Sequence, residues 1–200
     1  MLKPANTSLN LLHEIKNRWS PRAFSSQLVE PEKLERIFEA ARWSASCSNE
    51  QPWRFLVGIK NQDQAWTKIL NSLNIGNQIW CKFAPVLVLL ISKSNFTRND
   101  RPNKWSNYDL GQSAAYLSVQ ATSEGLFVHQ MAGFNAEKAR SLLSIPDDFE
   151  VKTAMAIGYY GDAENLPEDK KTSEFADRSR KELKAMVYGG EWNRTADFIK

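Results

Sequence analysis

The chain reads as an α+β domain, a mixed sheet held between helices. Three features of the sequence predict this. Val86 to Ile91 is apolar at every position, as a central strand covered on both faces requires. Amphipathic helical stretches flank it; Leu34, Ile37, Phe38 and Ala41 share one face, and Glu32, Lys33, Glu35, Arg36 and Glu39 the other. Strand-like and helix-like segments alternate irregularly, without the steady rhythm of a parallel α/β fold.

Taken in order, Ser8 to Asn17 is expected to be a first helix with Leu9, Leu12 and Ile15 as its apolar stripe. Pro21 disfavours helix at Ser20 and breaks the run. Pro31 opens a second helix at its first turn. The small polar run Ser44-Ala45-Ser46-Cys47-Ser48-Asn49-Glu50-Gln51 ends that helix, and on composition alone it is a connector. Trp53 to Ile59 reads as a strand and Gln62 to Leu73 as a short helix. Lys93 to Lys104 is polar and aperiodic, a surface excursion. Ser106 and Asp109 have capping-box spacing at the start of a long helix running to Gly125. Leu110, Ala114, Leu117 and Ala121 line one face of it, and Ala115 and Val119 a second, so it is expected to be mostly buried. Phe127 to Met131 reads as a strand, Asn135 as an N-cap, Ala136 to Leu143 as a helix and Thr153 to Tyr160 as the last strand.

From Ala163 to Lys200 the chain is charged and poor in core periodicity. Such an arm is either disordered or packed on another subunit, and Trp192 and Phe198 favour packing. The expectation is one domain over residues 1–200, with about 163–200 as its C-terminal arm.

Composition excludes several classes. A net charge of +3 with acids and bases interleaved gives no nucleic-acid signal. No apolar run approaches the roughly 18–20 residues of a membrane span, and the N-terminus lacks the apolar stretch of a secretory signal. Cys47 and Cys81 read as two reduced thiols, which points to the cytoplasm. With two histidines and no Cys/His cluster, no zinc site is expected.

Nucleotide-loop and hydrolase signatures are absent: no G-x-G-x-x-G, no P-loop, no G-x-S-x-G. His129, inside an apolar strand, is expected to be an ordinary buried and hydrogen-bonded histidine. Cys47 has no histidine near it in sequence to make it a nucleophile. What remains is a distributed set of anion binders. Arg18 and Arg22 flank Ser20, and Arg178 and Arg180 flank Ser179 at the far end of the chain. Folded together, two such pairs can converge on one phosphate through bidentate contacts.

The order of these motifs resembles the nitroreductase family of FMN-dependent flavoenzymes. Arg18-Trp19-Ser20-Pro21-Arg22-Ala23-Phe24 is similar to that family's R-x-S-x-[RK]-x-F opening, and Ser44 through Phe55 to its S-P-S-x-x-N-x-Q-P-W-x-F element. Asn77 ahead of Ala84-Pro85, His129-Gln130-Met131-Ala132-Gly133-Phe134, Ala156-Ile157-Gly158-Tyr159 and Arg178-Ser179-Arg180 follow in the family's order. The resemblance runs from about residue 9 to residue 183. It implies a nitroreductase-like fold with a mixed, largely antiparallel sheet flanked by helices, and an extended arm packing on a partner subunit. It implies a homodimer with FMN at the subunit interface, NADH or NADPH as hydride donor, and an electron-poor acceptor such as a nitroaromatic or quinone. By position, Arg18, Arg178 and Arg180 would hold the phosphate, with Trp19 and Ser20 beside them. Arg22 and Asn77 would meet the flavin pyrimidine, and Ala45, Ser46, Cys47 and Asn49 would reach the partner's flavin. Gln130, Met131, Ala132 and Gly133 would pass along the ring system, the missing side chain of Gly133 allowing close approach. Ala45 stands where the family usually has Pro, Ala132 where several members have an acid, Trp80 where some have a second cation, and Lys181 where Pro is common. With Ala132 and Trp80 in those places, the resemblance also admits a flavin-sequestering protein with little turnover.

Overall fold

A computed structural model describes residues 2–199. Its helices are α1 (His13–Asn17), α2 (Pro31–Arg42), α3 (Gln64–Ser72), α4 (Ile75–Cys81), α5 (Ser106–Ser123), α6 (Ala136–Leu143) and α7 (Glu168–Phe175). The strands are β1 (Trp53–Ile59), β2 (Val86–Lys93), β3 (Phe127–Met131) and β4 (Phe149–Gly158), in the order β1-β2-β4-β3. All three pairings are antiparallel among the described residues, in keeping with the largely antiparallel sheet expected.

The core follows from alternation along β2. Leu87, Leu89 and Ile91 join Trp66, Ile69, Trp80 and Cys81 on one face of the sheet. Val86, Val88 and Leu90 join Ile37 and Ala41 of α2 and Leu110, Ala114, Leu117 and Ala121 of α5 on the other. Side chains at successive strand positions point to opposite faces, so a strand with two covered faces must be apolar throughout.

Several boundaries differ from the sequence reading. The first helix forms only over His13–Asn17, and Leu9, Leu12 and Ile15 of the expected stripe are all exposed. Short helices need packing to persist. Tyr159 and Tyr160 leave β4 and pair with the Arg18–Phe24 loop instead: Ser25 N–H donates to the Tyr159 carbonyl, and Phe24 bridges Tyr160. No capping box forms at α5, whose N-cap is Trp105; the Asp109 carboxylate is used elsewhere. α5 buries Leu110, Ala114, Leu117 and Ala121 as expected, but of the second face Ala115 is exposed, as are Tyr108 and Tyr116. α4 and α7 have no clear periodic signal in the sequence, yet α4 carries Asn77 and α7 carries Glu174. The segment after Ala163 is not a detached arm over its first third: Ala163, Leu166 and Glu174 are buried against their own chain.

Candidate functional site

The Arg18–Phe24 loop is built on its own chain. His129 Nδ1 lies 2.8 Å from the Pro21 carbonyl, and the Glu174 carboxylate accepts from the backbone N–H of Arg22 and Ala23. Gly161 N–H donates to the Ala23 carbonyl at 2.8 Å. His129 is hydrogen-bonded as the sequence suggested, though half-buried rather than buried, and desolvation draws its imidazole down to about 4. Neutral at ordinary pH, it acts as a peg for the loop.

Three arginines gather from opposite ends of the sequence. Burial, then the charges of Arg178 and Arg180, hold the Arg18 guanidinium below its ordinary value. Arg178 is lowered by burial and by Arg180. Their closest partners are neutral: Arg18 Nη1 donates to Ser20 Oγ at 3.2 Å, Arg178 Nη1 to the carbonyls of Lys3 and Lys16, and Arg180 Nη1 to the Ser179 carbonyl. Cations held together at this cost in mutual repulsion are a standing demand for an anion. Beside Arg18 and Ser20 opens a cavity of about 330 Å³ walled by Ile15, Ala115, Val119 and Val128, with Gln130 at its edge. A second, of about 560 Å³, is lined by Arg178, Arg180 and the N-terminal stretch Ala5–Thr7. Charged groups thus meet an apolar wall, which suits a ligand with an anionic end and a flat body.

Other anticipated residues divide by side-chain direction. Gln130 and Ala132 are exposed, whereas Met131 points into the core with its sulfur 3.3 Å from Cys81 Sγ. Only the backbone of Met131 is available to a ligand. The Trp19 side chain likewise belongs to the core, packed on Phe127 and Tyr160 with centroids 5.9 and 5.6 Å away. Trp80 is fully buried between Phe24 and His129. Asn77 and Gly133 do meet, though for a reason unlike the one anticipated. Asn77 Nδ2 donates to the Gly133 carbonyl at 2.9 Å, and a Cβ on Gly133 would fall 2.6 Å from that nitrogen. The missing side chain makes room for Asn77.

The Ser44–Gln51 run stands apart from the arginines. Ala45, Ser46 and Cys47 line a cavity of about 250 Å³ with Trp105, Tyr108, Asp109 and Gln112, at the N-terminal end of α5. Its backbone is unusual: Ser48, Asn49 and Gln51 all have positive φ, near 53°. Asn tolerates that region, but three non-glycine residues there require outside support. Support comes from Asp109 Oδ2, accepting from Cys47 N–H at 3.0 Å, and from Ser46 Oγ, accepting from Gln51 N–H at 3.0 Å. Glu50 Oε1 also accepts from Thr97 N–H at 2.8 Å, so the polar excursion braces this run. Both cysteines are free thiols, as expected.

Sequence reasoning missed Asp109, Glu174 and Glu50 as supports. Nothing in the local sequence sets Glu174 or Glu50 apart from surface carboxylates, and the Ser106–Asp109 spacing is that of a helix cap. Among the described residues, no His/Cys/Asp/Glu group suits a metal and no helix is long and apolar enough to cross a membrane.

Comparison with known proteins identifies the family. The nitroreductase family profile matches residues 15–80 and 64–159. A crystal structure of an oxidoreductase containing FMN superposes with a TM-score of 0.88 at 32% identity, covering 95% of this chain and 96% of that one. A nitroreductase family protein from Clostridium difficile 630 superposes with a TM-score of 0.71 at 25% identity, covering 92% and 99%. The major NAD(P)H-flavin oxidoreductase of Aliivibrio fischeri is 30% identical over 118 residues, 57% of this chain but only 50% of that protein's length. Profile matches from residue 15 to residue 159, on a fold shared almost end to end with the FMN-containing structure, establish that the chain belongs to the nitroreductase family.

Proposed function

We propose that the chain is an FMN-dependent oxidoreductase that draws hydride from NADH or NADPH and reduces electron-poor acceptors such as nitroaromatics or quinones in a ping-pong cycle. The observation that carries this reading is the cluster of Arg18, Arg178 and Arg180, matched to neutral groups among the described residues, with an apolar cavity beside Arg18 and a second cavity lined by Arg178 and Arg180. FMN has the matching chemistry, a phosphate at one end and a flat ring at the other, and when bound it supplies the hydride and electron transfer. Arg18, Arg178 and Arg180 would hold its phosphate with a hydroxyl contact from Ser20. Arg22 would place a fixed cation near the pyrimidine edge, while Gln130, Ala132 and Gly133 offer backbone along the ring. The protein's part is orientation, electrostatics and exclusion of water.

Two copies make a fuller site than one. Along α5, Asp109 marks the Ala45–Cys47 cavity and Ser118 the Arg18 cavity. Nine residues of helix separate them by about 14 Å at 1.5 Å per residue. The exposed face between carries Tyr108, Ala115 and Tyr116. A homodimer packed on this face would bring Ala45, Ser46, Cys47 and Asn49 of one subunit toward the partner's arginines. Leu183, Met186, Trp192 and Phe198 of the last segment are also exposed and suit packing on a partner. On this reading residues 1–200 form one cytoplasmic, dimeric domain.

The test is direct. Purified protein should be yellow, release FMN on denaturation, and gain about 2.7 kcal/mol of stability from FMN at about 100 times its Kd. Colourless protein indifferent to added FMN would overturn the reading. A protein that binds FMN but does not oxidise NADH or NADPH with menadione or a nitrofuran would be the sequestering alternative, which the burial of Trp80 in a cation's place favours.

A further inference from the structure

Glu174 is 1% exposed and lies in the last turn of α7. Its carboxylate accepts from Arg22 N–H at 3.1 and 2.9 Å and from Ala23 N–H at 3.2 Å. The neighbouring Ser173 Oγ accepts from Arg22 Nη1 at 3.2 Å. Consecutive residues of one helix therefore hold Arg22 at both its main chain and its guanidinium. Helix stability gives no reason for this acid, since a carboxylate in the final turn opposes the macrodipole. The burial is also costly unless the hydrogen bonds are all made. The loop it grips is the one that carries Arg18, Ser20 and Arg22.

Resting on the FMN reading, we infer that Glu174 and Ser173 are positioning residues for Arg22, fixing how far its cation stands from the flavin pyrimidine and so how strongly reduced FMN is favoured over oxidised FMN. Neither residue need touch the cofactor. Reduced FMN carries negative charge at the pyrimidine, and attraction to a nearby cation weakens steeply as the cation drifts in a partly dry site. A through-space effect of the Glu174 charge has the opposite sign, because removing a buried negative charge would favour the reduced, anionic flavin. The two explanations are therefore separable.

The experiment measures FMN affinity and the midpoint potential of bound FMN by anaerobic spectroscopic titration in the holoenzyme. Glu174→Gln and Ser173→Ala should each lower the potential, by the equivalent of about a threefold to tenfold loss of preference for reduced FMN. In an Arg22→Ala background both shifts should vanish, since no guanidinium remains to be positioned. A potential that rises in Glu174→Gln, a shift that persists without Arg22, or no shift in either variant would overturn the inference. If Glu174→Gln does not fold, Ser173→Ala, on an exposed hydroxyl, decides alone. Failure of the wild-type protein to bind FMN would defeat the functional reading itself, and the affinity measurement reports that before any variant is compared.

Discussion

The two loops that carry the family motifs are held in opposite ways. Arg18–Phe24 is pinned by three separate parts of its own chain: His129 on β3, Glu174 on α7, and Tyr159 to Gly161 after β4. Trp19, Ala23 and Phe24 are buried in the process. Ser44–Gln51 is braced at its back by Asp109 and Thr97, while Ala45, Ser48 and Asn49 face outward. The first loop is finished within the body of its own chain, and the second stays at the surface. Both conditions come from the same requirement, a buried carboxylate that satisfies backbone N–H groups where regular structure cannot. Glu174 closes its loop into the body of the protein. Asp109 holds its loop at the surface.

The comparison can be tested by removing each support in turn. The largest effect is expected for Glu174→Ala, which strands two backbone donors and leaves a cavity. Chemical denaturation of the apoprotein should show a loss of about 3 kcal/mol. On the FMN reading, Arg18→Ala should weaken FMN binding about 30-fold, near 2 kcal/mol, in a fluorescence titration, because a charge-assisted contact to phosphate is lost. Asp109→Asn keeps the shape and loses the charge on the acceptor for Cys47 N–H, so about 1 kcal/mol should go. On the proposed dimeric FMN reading its second effect is more informative: weaker FMN binding with the Arg18 loop unchanged, as followed by hydrogen exchange. Equal loosening of both loops in either carboxylate variant would break the distinction between them.

Mild acid should act on the first loop through His129. The His129 pKa in the folded protein, about 4, lies below its value of about 6.5 in an unfolded chain. The unfolded state therefore binds the extra proton first, and stability falls as pH drops from about 6.5 toward 4. Between pH 7.5 and pH 6 the loss should be about 0.8 kcal/mol, absent in His129→Gln, as read by urea melts at each pH. The smallest change is expected from Asn49→Gly. Relief of the positive φ is offset by the greater freedom of glycine in the unfolded chain, leaving a net change within about 0.5 kcal/mol.

Much of the fold was legible in advance because its signals are local. The unbroken apolar run of β2, Pro31 opening α2, and Asn135 capping α6 through Lys138 N–H each require only a few neighbouring residues. Where the sequence reading failed, a distant partner had intervened. The stripe of the first helix pointed to burial, yet Leu9, Leu12 and Ile15 are exposed, and Asp109 spaced like a cap was taken by Cys47, 62 residues away.

By itself, then, the sequence determined the apolar strand at the centre of the sheet, the amphipathic helices on its faces and the ordered motifs that mark the family. Those follow from periodicity and residue type, which the chain carries wherever it goes. Only the tertiary structure decided that Arg18 meets Arg178 and Arg180, that Glu174 rather than a partner subunit secures Arg22, and that Gly133 gives its space to Asn77. A carboxylate satisfied by backbone N–H groups more than a hundred residues away leaves no periodic trace, since what selects it is the need of a distant loop.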